Sequence, residues 1–203
     1  MKIILATRNA HKVEEMQQLL PDLELLPLPE DAPDPEETGA TFLENARIKA
    51  LSAALHTGLP ALADDSGICI DALGGAPGVH SARWVSEENW IPEVLKKLDG
   101  KIDGERSARY VCALSLMAPD GTILAESEGT FAGRIAGEPR GTNGFGYDPI
   151  FLVEPDYAQT VGEISTEEKH ARSHRGAAAR AISPLLPLSG GGAGGGGPHE
   201  DLH

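Results

Sequence analysis

The chain has 203 residues, 40% of them hydrophobic and 4% aromatic, and a formal net charge of −14. That acidic balance excludes bulk binding to DNA, RNA or an anionic membrane surface, all of which select for basic partners, and leaves a small anionic ligand only where positive charge gathers locally. No apolar run approaches the ~20 residues that span a bilayer, and MKIILATRN is too short for a signal peptide, so a cytoplasmic protein is expected.

In chain order, KIILA (2–6) reads as a buried strand leading into the polar loop Thr7-Arg8-Asn9-Ala10. HKVEEMQQLL (11–20) has helical spacing, with Val13, Met16, Leu19 and Leu20 on one face, and Pro21 ends it. Residues 23–27 read as a second strand and the Pro- and acid-rich 28–39 as a loop. TFLENARIKALSAAL (41–55) is the clearest helix, with Thr41 as N-cap and Glu44 closing a capping box. A strand over 61–63 is expected to stop at a turn formed by Asp64-Asp65-Ser66-Gly67.

Residues 71–83 are loop, and Trp90–Leu98 is a short helix. RYVCALSLMA (109–118), the turn Pro119-Asp120-Gly121 and TILAESEGTFA (122–132) form a hairpin. A Gly-rich loop (137–148), a strand (149–153) and one helix from about Glu167 to Leu186 follow. Cys69 and Cys112 sit in apolar segments and read as buried free thiols. The pattern predicts a mixed α/β fold, two-lobed with flanking helices and a central cleft, in one domain over 1–188. The Gly-rich tail 189–203 is expected to be disordered, and its His199 and His203 are not metal ligands.

Five constellations carry chemistry. Ala6 to Lys12 runs from a strand into a helix N-terminus, where free N–H groups and Lys12 favour an anion; an ordinary strand-to-helix turn is the competing reading. Asp64 and Asp65 are costly neighbours unless a cation compensates, and Mg²⁺, which takes one or two carboxylates together with phosphate oxygens, would supply that compensation; an Asx turn closing the strand is the competing reading. An acidic loop, Glu36-Glu37-Thr38-Gly39, offers a further carboxylate to pair with Asp65. In GTNGFGYDP (141–149), glycines around Phe145 let a planar ligand approach the backbone, Phe145 stacks a base, and Asp148 accepts from a ring N–H. Lys169, Arg172, His174 and Arg175 gather positive charge in an acidic chain, against the plainer reading of a solvated helix face.

TRNAHK (7–12), EETGATFLENA (36–46), ADDSGI (63–68), LGGAPGVHSAR (73–83), GTNGFGYDPIF (141–151) and TEEKHARSHRG (166–176) occur together and in this order. The set resembles the inosine triphosphate pyrophosphatase family, also called Ham1-like, over residues 2 to about 186. The resemblance implies a two-lobed α/β homodimer that cleaves dITP, ITP and XTP to the monophosphate and pyrophosphate with Mg²⁺, or Mn²⁺ in its place. It implies that Thr7, Arg8, Asn9, Ala10, His11 and Lys12 hold the triphosphate and that Ser66 touches substrate. Asp65 would be the catalytic acid/base, with Glu36 and Asp65 holding the metal. Phe145, Gly146, Tyr147, Asp148, Lys169, His174 and Arg175 would line the base and ribose pocket. Three departures stand out: Arg8 replaces a small residue, Trp84 replaces a Tyr or Phe, and the region around the 90–98 helix is shorter than usual for the family.

Donors from Lys169, His174 or Arg175 facing a purine 6-oxygen would reject adenine but not guanine. A pyrophosphatase for altered pyrimidine nucleotides is the alternative within the same class. A non-catalytic nucleotide sensor is the alternative outside it, and it would need neither Glu36 nor Asp65.

Overall fold

The computed structural model describes residues 1–187, so the expectations for 189–203, with His199 and His203, lie outside the described residues. The elements are β1 (Lys2–Leu5), α1 (Ala10–Leu19), β2 (Glu24–Pro27), α2 (Phe42–Thr57), β3 (Ala61–Ile70), α3 (Trp90–Lys97), β4 (Ser107–Met117), β5 (Ile123–Ile135), β6 (Phe151–Val153), α4 (Thr166–Arg172) and α5 (His174–Ile182). They build one six-stranded sheet in the order β2-β1-β3-β4-β5-β6. β1 pairs in parallel with β2 and β3, and every other neighbouring pair is antiparallel.

Local chemistry sets the ends of α2 as the sequence predicts. The Thr41 hydroxyl accepts from the Glu44 N–H, the Glu44 carboxylate accepts from the Thr41 N–H, and Gly58 takes the left-handed conformation at the C-terminus. The hairpin is also as expected, with β4 and β5 in register from Ser107↔Arg134 to Leu116↔Ala125 and a shift before Met117↔Ile123. Both thiols are free and buried.

Two expectations are corrected. β3 does not stop at Ala63: it runs on through both aspartates to Ile70, because the β4 ladder continues opposite Asp64, Asp65, Ser66 and Gly67. The helix expected from Glu167 to Leu186 is two helices. Ser173 has an extended backbone (φ −66°, ψ 157°) and its hydroxyl caps α5 by accepting from the Gly176 N–H, so the chain turns a corner there.

The sheet's alternation places the core and the site. On one face of β3, Leu62, Asp64, Ser66, Ile68 and Ile70 follow one another. Leu62 joins a core with Ile3, Leu5, Cys112, Leu114 and the α5 residues Ala178, Ala179 and Ile182. Ile68 and Ile70 join a second core with Tyr110, Phe131, Phe151 and the α3 residues Val94 and Leu98. Asp64 and Ser66 interrupt the apolar stripe between the two cores. On the opposite face, Ala61 and Ala63 pack against Ala50, Ala53 and Ala54 of α2, whose small side chains bring the helix close to the sheet.

Candidate functional site

β1 ends beside Leu62, where the Ala6 N–H donates to the Leu62 carbonyl (2.8 Å). From Ala63 to Gly67, β3 is therefore laddered to β4 on one side only. The chain leaves β1 for α1 on one face of the sheet and enters β3 from α2 on the other. This split at the carboxyl end of parallel strands is where open α/β sheets form ligand crevices. A cavity of about 170 Å³ lies there. It is lined by Asn9, His11, Lys12, Ser66, Phe145, Gly146, Tyr147, Asp148, Lys169, His174 and Arg175, all of them predicted, and also by Ser81, Glu87, Trp90 and Tyr110, which were not.

The floor of the cavity is a buried charge network. Asp64 is 3% exposed and Arg175 1%. The Lys12 ammonium lies 2.9 Å from Asp64 Oδ1, and Arg175 donates to Asp64 Oδ2 from Nε (3.2 Å) and a terminal nitrogen (3.1 Å). Arg175 also donates to the Ser66 hydroxyl (3.0 Å) and pairs with Glu15. Burial works against an ionised Asp64, but Lys12 and Arg175 overcome it and hold the carboxyl far below the usual carboxylate range. Asp64 is thus a permanent anion that anchors two cations.

Asp65 points the other way, toward α2. Lys49 Nζ lies 2.7 Å from its Oδ1 and Asn45 Nδ2 donates to its Oδ2 at 3.3 Å. Its carboxyl is raised above the ordinary value, through burial first, with Lys49 opposing and the Glu37 charge adding to the rise. Of the adjacent pair, Asp65 is the one able to take up a proton. The same Lys49 ammonium lies 3.1 Å from Glu37, which Arg83 also grips (2.5 Å). Glu36 is exposed. The carboxylate that shares a cation with Asp65 is therefore Glu37, one residue along from the expected Glu36.

The aromatic end is equally organised. Phe145 stacks on His11 (centroids 5.1 Å apart, planes at 10°), and Lys169 Nζ lies 4.6 Å from its centroid. Asp148 fixes this loop: it accepts from the Phe145 N–H (2.9 Å), Tyr110 hydroxyl (3.1 Å) and Lys169 (3.0 Å). Gly144 (φ +74°) permits the turn, and a Cβ there would stand 2.0 Å from the Asp148 carboxylate. Asp148 thus acts as the loop's anchor, with its oxygens already engaged by the protein. His174 stacks on Tyr110 (4.8 Å), and its Nδ1 has no hydrogen-bond partner among the described residues. Burial, then the Arg175 and Lys169 charges, push its pKa well below the ordinary histidine value, so the ring is neutral.

Three residues of the first loop differ from expectation. Thr7 and Ala10 do not line the cavity, and the Arg8 guanidinium turns away from it to donate to the Ala32 carbonyl (2.6 Å). The α1 N–H groups expected to be free are partly taken, since Asn9 Oδ1 accepts from His11 and Lys12. The site residues that sequence reasoning missed had one available signal. Glu15 is three residues from Lys12, and Lys49 four from Asn45, so each shares a helix face with a residue already singled out or adjacent to the core.

The sequence and the fold have counterparts among known proteins. The model of the Ham1 family matches residues 3–185. The chain belongs to the Ham1 family. A protein of Coxiella burnetii named dITP/XTP pyrophosphatase is 47% identical over 194 residues, covering 92% of this chain and 96% of that protein. One of the same name from Exiguobacterium sibiricum is 48% identical, covering 92% and 97%. The solved structure of a HAM1 protein from Coxiella burnetii superposes with a TM-score of 0.82 at 46% identity, covering 91% of this chain and 98% of that one. No helix among the described residues is long and apolar enough to cross a membrane.

Proposed function

We propose that the protein hydrolyses non-canonical purine nucleoside triphosphates, dITP, ITP and XTP, to the monophosphate and pyrophosphate. The observation that carries this reading is the convergence of separate sequence segments on one cavity, with Lys12 and Arg175 as its cations and Phe145 and Tyr147 as its aromatics; Asp65 does not line that cavity and adjoins it through Ser66, its side chain on the α2 face of the same strand. The name shared by the relatives agrees with it.

A divalent cation fits the carboxylates present. Glu37 and Asp65 already share one buried cationic group, the Lys49 ammonium. Among the described residues no group of three or more His, Cys, Asp or Glu is placed to hold a metal ion, so Mg²⁺ at this pair would need phosphate oxygens and water to complete its shell. Glu37 and Asp65 would hold it, and when bound it would offset phosphate charge and make water more acidic.

The protein's own groups supply the rest. Lys12 faces the triphosphate and balances the charge that builds on the departing pyrophosphate. Asp64, held ionised, keeps Lys12 and Arg175 in place. Asp65 takes a proton from the attacking water as its oxygen bonds to the α-phosphorus and the bond from that phosphorus to the bridging oxygen breaks. Phe145 offers its face to the purine, while Lys169 and His174 offer polar atoms to its edge. A neutral His174 adds no further charge to that pocket. The chain acts as a homodimer in the cytoplasm on this reading.

The test is pyrophosphate release from dITP, ITP, XTP, GTP and ATP with Mg²⁺, with and without EDTA. Release from the first three that EDTA abolishes is expected. No release from any, together with measurable ITP binding, would replace the enzyme by a nucleotide sensor.

A further inference from the structure

We infer that Arg8 is a positioning residue: it clamps segment 29–37 to the start of α1 and so sets where Glu37 stands relative to Asp65. The inference deepens the hydrolytic reading above and rests on it for its kinetic consequence. The Arg8 side chain makes no ion pair among the described residues. Its guanidinium instead donates to three carbonyls of one turn, those of Ala32 (2.6 Å), Glu30 (3.3 Å) and Pro29 (3.4 Å). A planar fork of five donors can hold three carbonyls at once, as a lysine ammonium of the same reach cannot in the same plane.

Besides Arg8, one side-chain contact reaches the same turn, His56 Nε2 lying 3.3 Å from Asp31 Oδ1, and the backbone adds little. Residues 28–39 belong to no helix or strand, and their one internal backbone hydrogen bond is Ala32 N–H to the Pro29 carbonyl (3.1 Å). Ala32 is buried, and beyond it the chain reads Pro33-Asp34-Pro35. Both prolines fix their own φ and hold the preceding residue extended, so Ala32 to Pro35 is a short stiff spacer. At its far end Glu37 is held by Lys49 and Arg83. Arg8 at the near end, beside the His56–Asp31 contact, and Lys49 with Arg83 at the far end thus pin one stiff arm at both ends. Thr7 and Asn9, which flank Arg8, shape the loop that orients Lys12, so the same side chain ties the phosphate-facing loop to the carboxylate arm.

The experiment compares Arg8→Gln and Arg8→Lys with the unaltered chain. A glutamate-specific protease reports the arm directly, by cutting after Glu30, Glu36 or Glu37, and Mn²⁺ binding followed by electron paramagnetic resonance reports the Glu37–Asp65 pair without turnover. Arg8→Gln is expected to speed cutting severalfold and weaken Mn²⁺ binding severalfold, with Arg8→Lys recovering part of both. In turnover, the Mg²⁺ needed for half-saturation and the KM for ITP should rise more than kcat falls. A purely structural role would instead lower kcat and thermal stability together. Cutting and Mn²⁺ binding that match the unaltered chain overturn the inference. An unaltered chain that hydrolyses no purine triphosphate overturns the hydrolytic reading alone, because the protease and Mn²⁺ measurements still judge the clamp.

Discussion

Asp64 and Asp65 are consecutive residues of β3, and their carboxylates lie on opposite faces of the sheet. Asp64 meets Lys12 and Arg175 at 2.9 and 3.1 Å on the face of α1 and α5, and Asp65 meets Lys49 at 2.7 Å on the face of α2. One pair of neighbours therefore meets two different environments, Asp64 fixed as an anion between two cations and Asp65 with its carboxyl raised by burial. The division follows from strand geometry, in which successive side chains alternate.

The two aspartates should fail in different ways. Asp65→Asn keeps the shape and loses the proton acceptor, so turnover should fall ~10²–10⁴-fold with the melting temperature near that of the parent. Asp64→Asn leaves Lys12 and Arg175 buried with one counter-charge fewer, which costs of the order of 3 kcal/mol. Its melting temperature should drop by several degrees. Paired calorimetry and ITP hydrolysis separate the two, and near-normal turnover of Asp65→Asn would remove it from the role of base.

Glu37 and Glu36 provide a second contrast. Glu37 shares the Lys49 ammonium with Asp65, while Glu36 is exposed. Glu37→Gln should raise the Mg²⁺ concentration needed for half-maximal hydrolysis, and Glu36→Gln should raise it less. The reverse ranking in a Mg²⁺ titration would return the metal-holding role to Glu36.

Gly129 on β5 carries α5. A Cβ at this position would stand 2.2 Å from the His174 carbonyl and 2.4 Å from the Ala178 N–H, both backbone atoms that cannot swing aside. Gly129→Ala should therefore push α5 off the sheet, costing ~1–3 kcal/mol as overpacking does. Because His174 and Arg175 open that helix, KM for ITP should rise as stability falls. A variant with unchanged melting temperature and KM would show that α5 tolerates the shift.

His174 ties stability to pH. Its pKa is depressed by burial and by Arg175, Lys169 and Lys12 around it, with Asp64 opposing. Tyr110 covers its ring. Below the unfolded value of ~6.5 the unfolded chain binds a proton that the folded chain does not, so stability falls as pH drops through that point. The melting temperature should decline from about pH 7 to about pH 5 more steeply in the parent than in His174→Gln. Equal slopes would mean that His174 is protonated in the folded state.

The sequence by itself determined the local elements whose causes are local. Helix α2 could be read because Thr41, Glu44 and Gly58 act within a few residues of one another, and the hairpin because its turn residues adjoin its strands. Most of the cavity lining could be read too, but through the ordered motifs that carry the family resemblance, because taken singly those residues also fit an ordinary turn, loop or solvated helix face. Only the tertiary structure decided that β3 continues through two aspartates, because the ladder that sustains it comes from β4, whose Leu114 and Ala113 stand opposite them from far along the chain. The break at Ser173, the turn of Arg8 toward Ala32, and the sharing of Lys49 by Glu37 and Asp65 have the same origin. Each depends on which charge or carbonyl a distant segment delivers, and no periodicity within a segment encodes that.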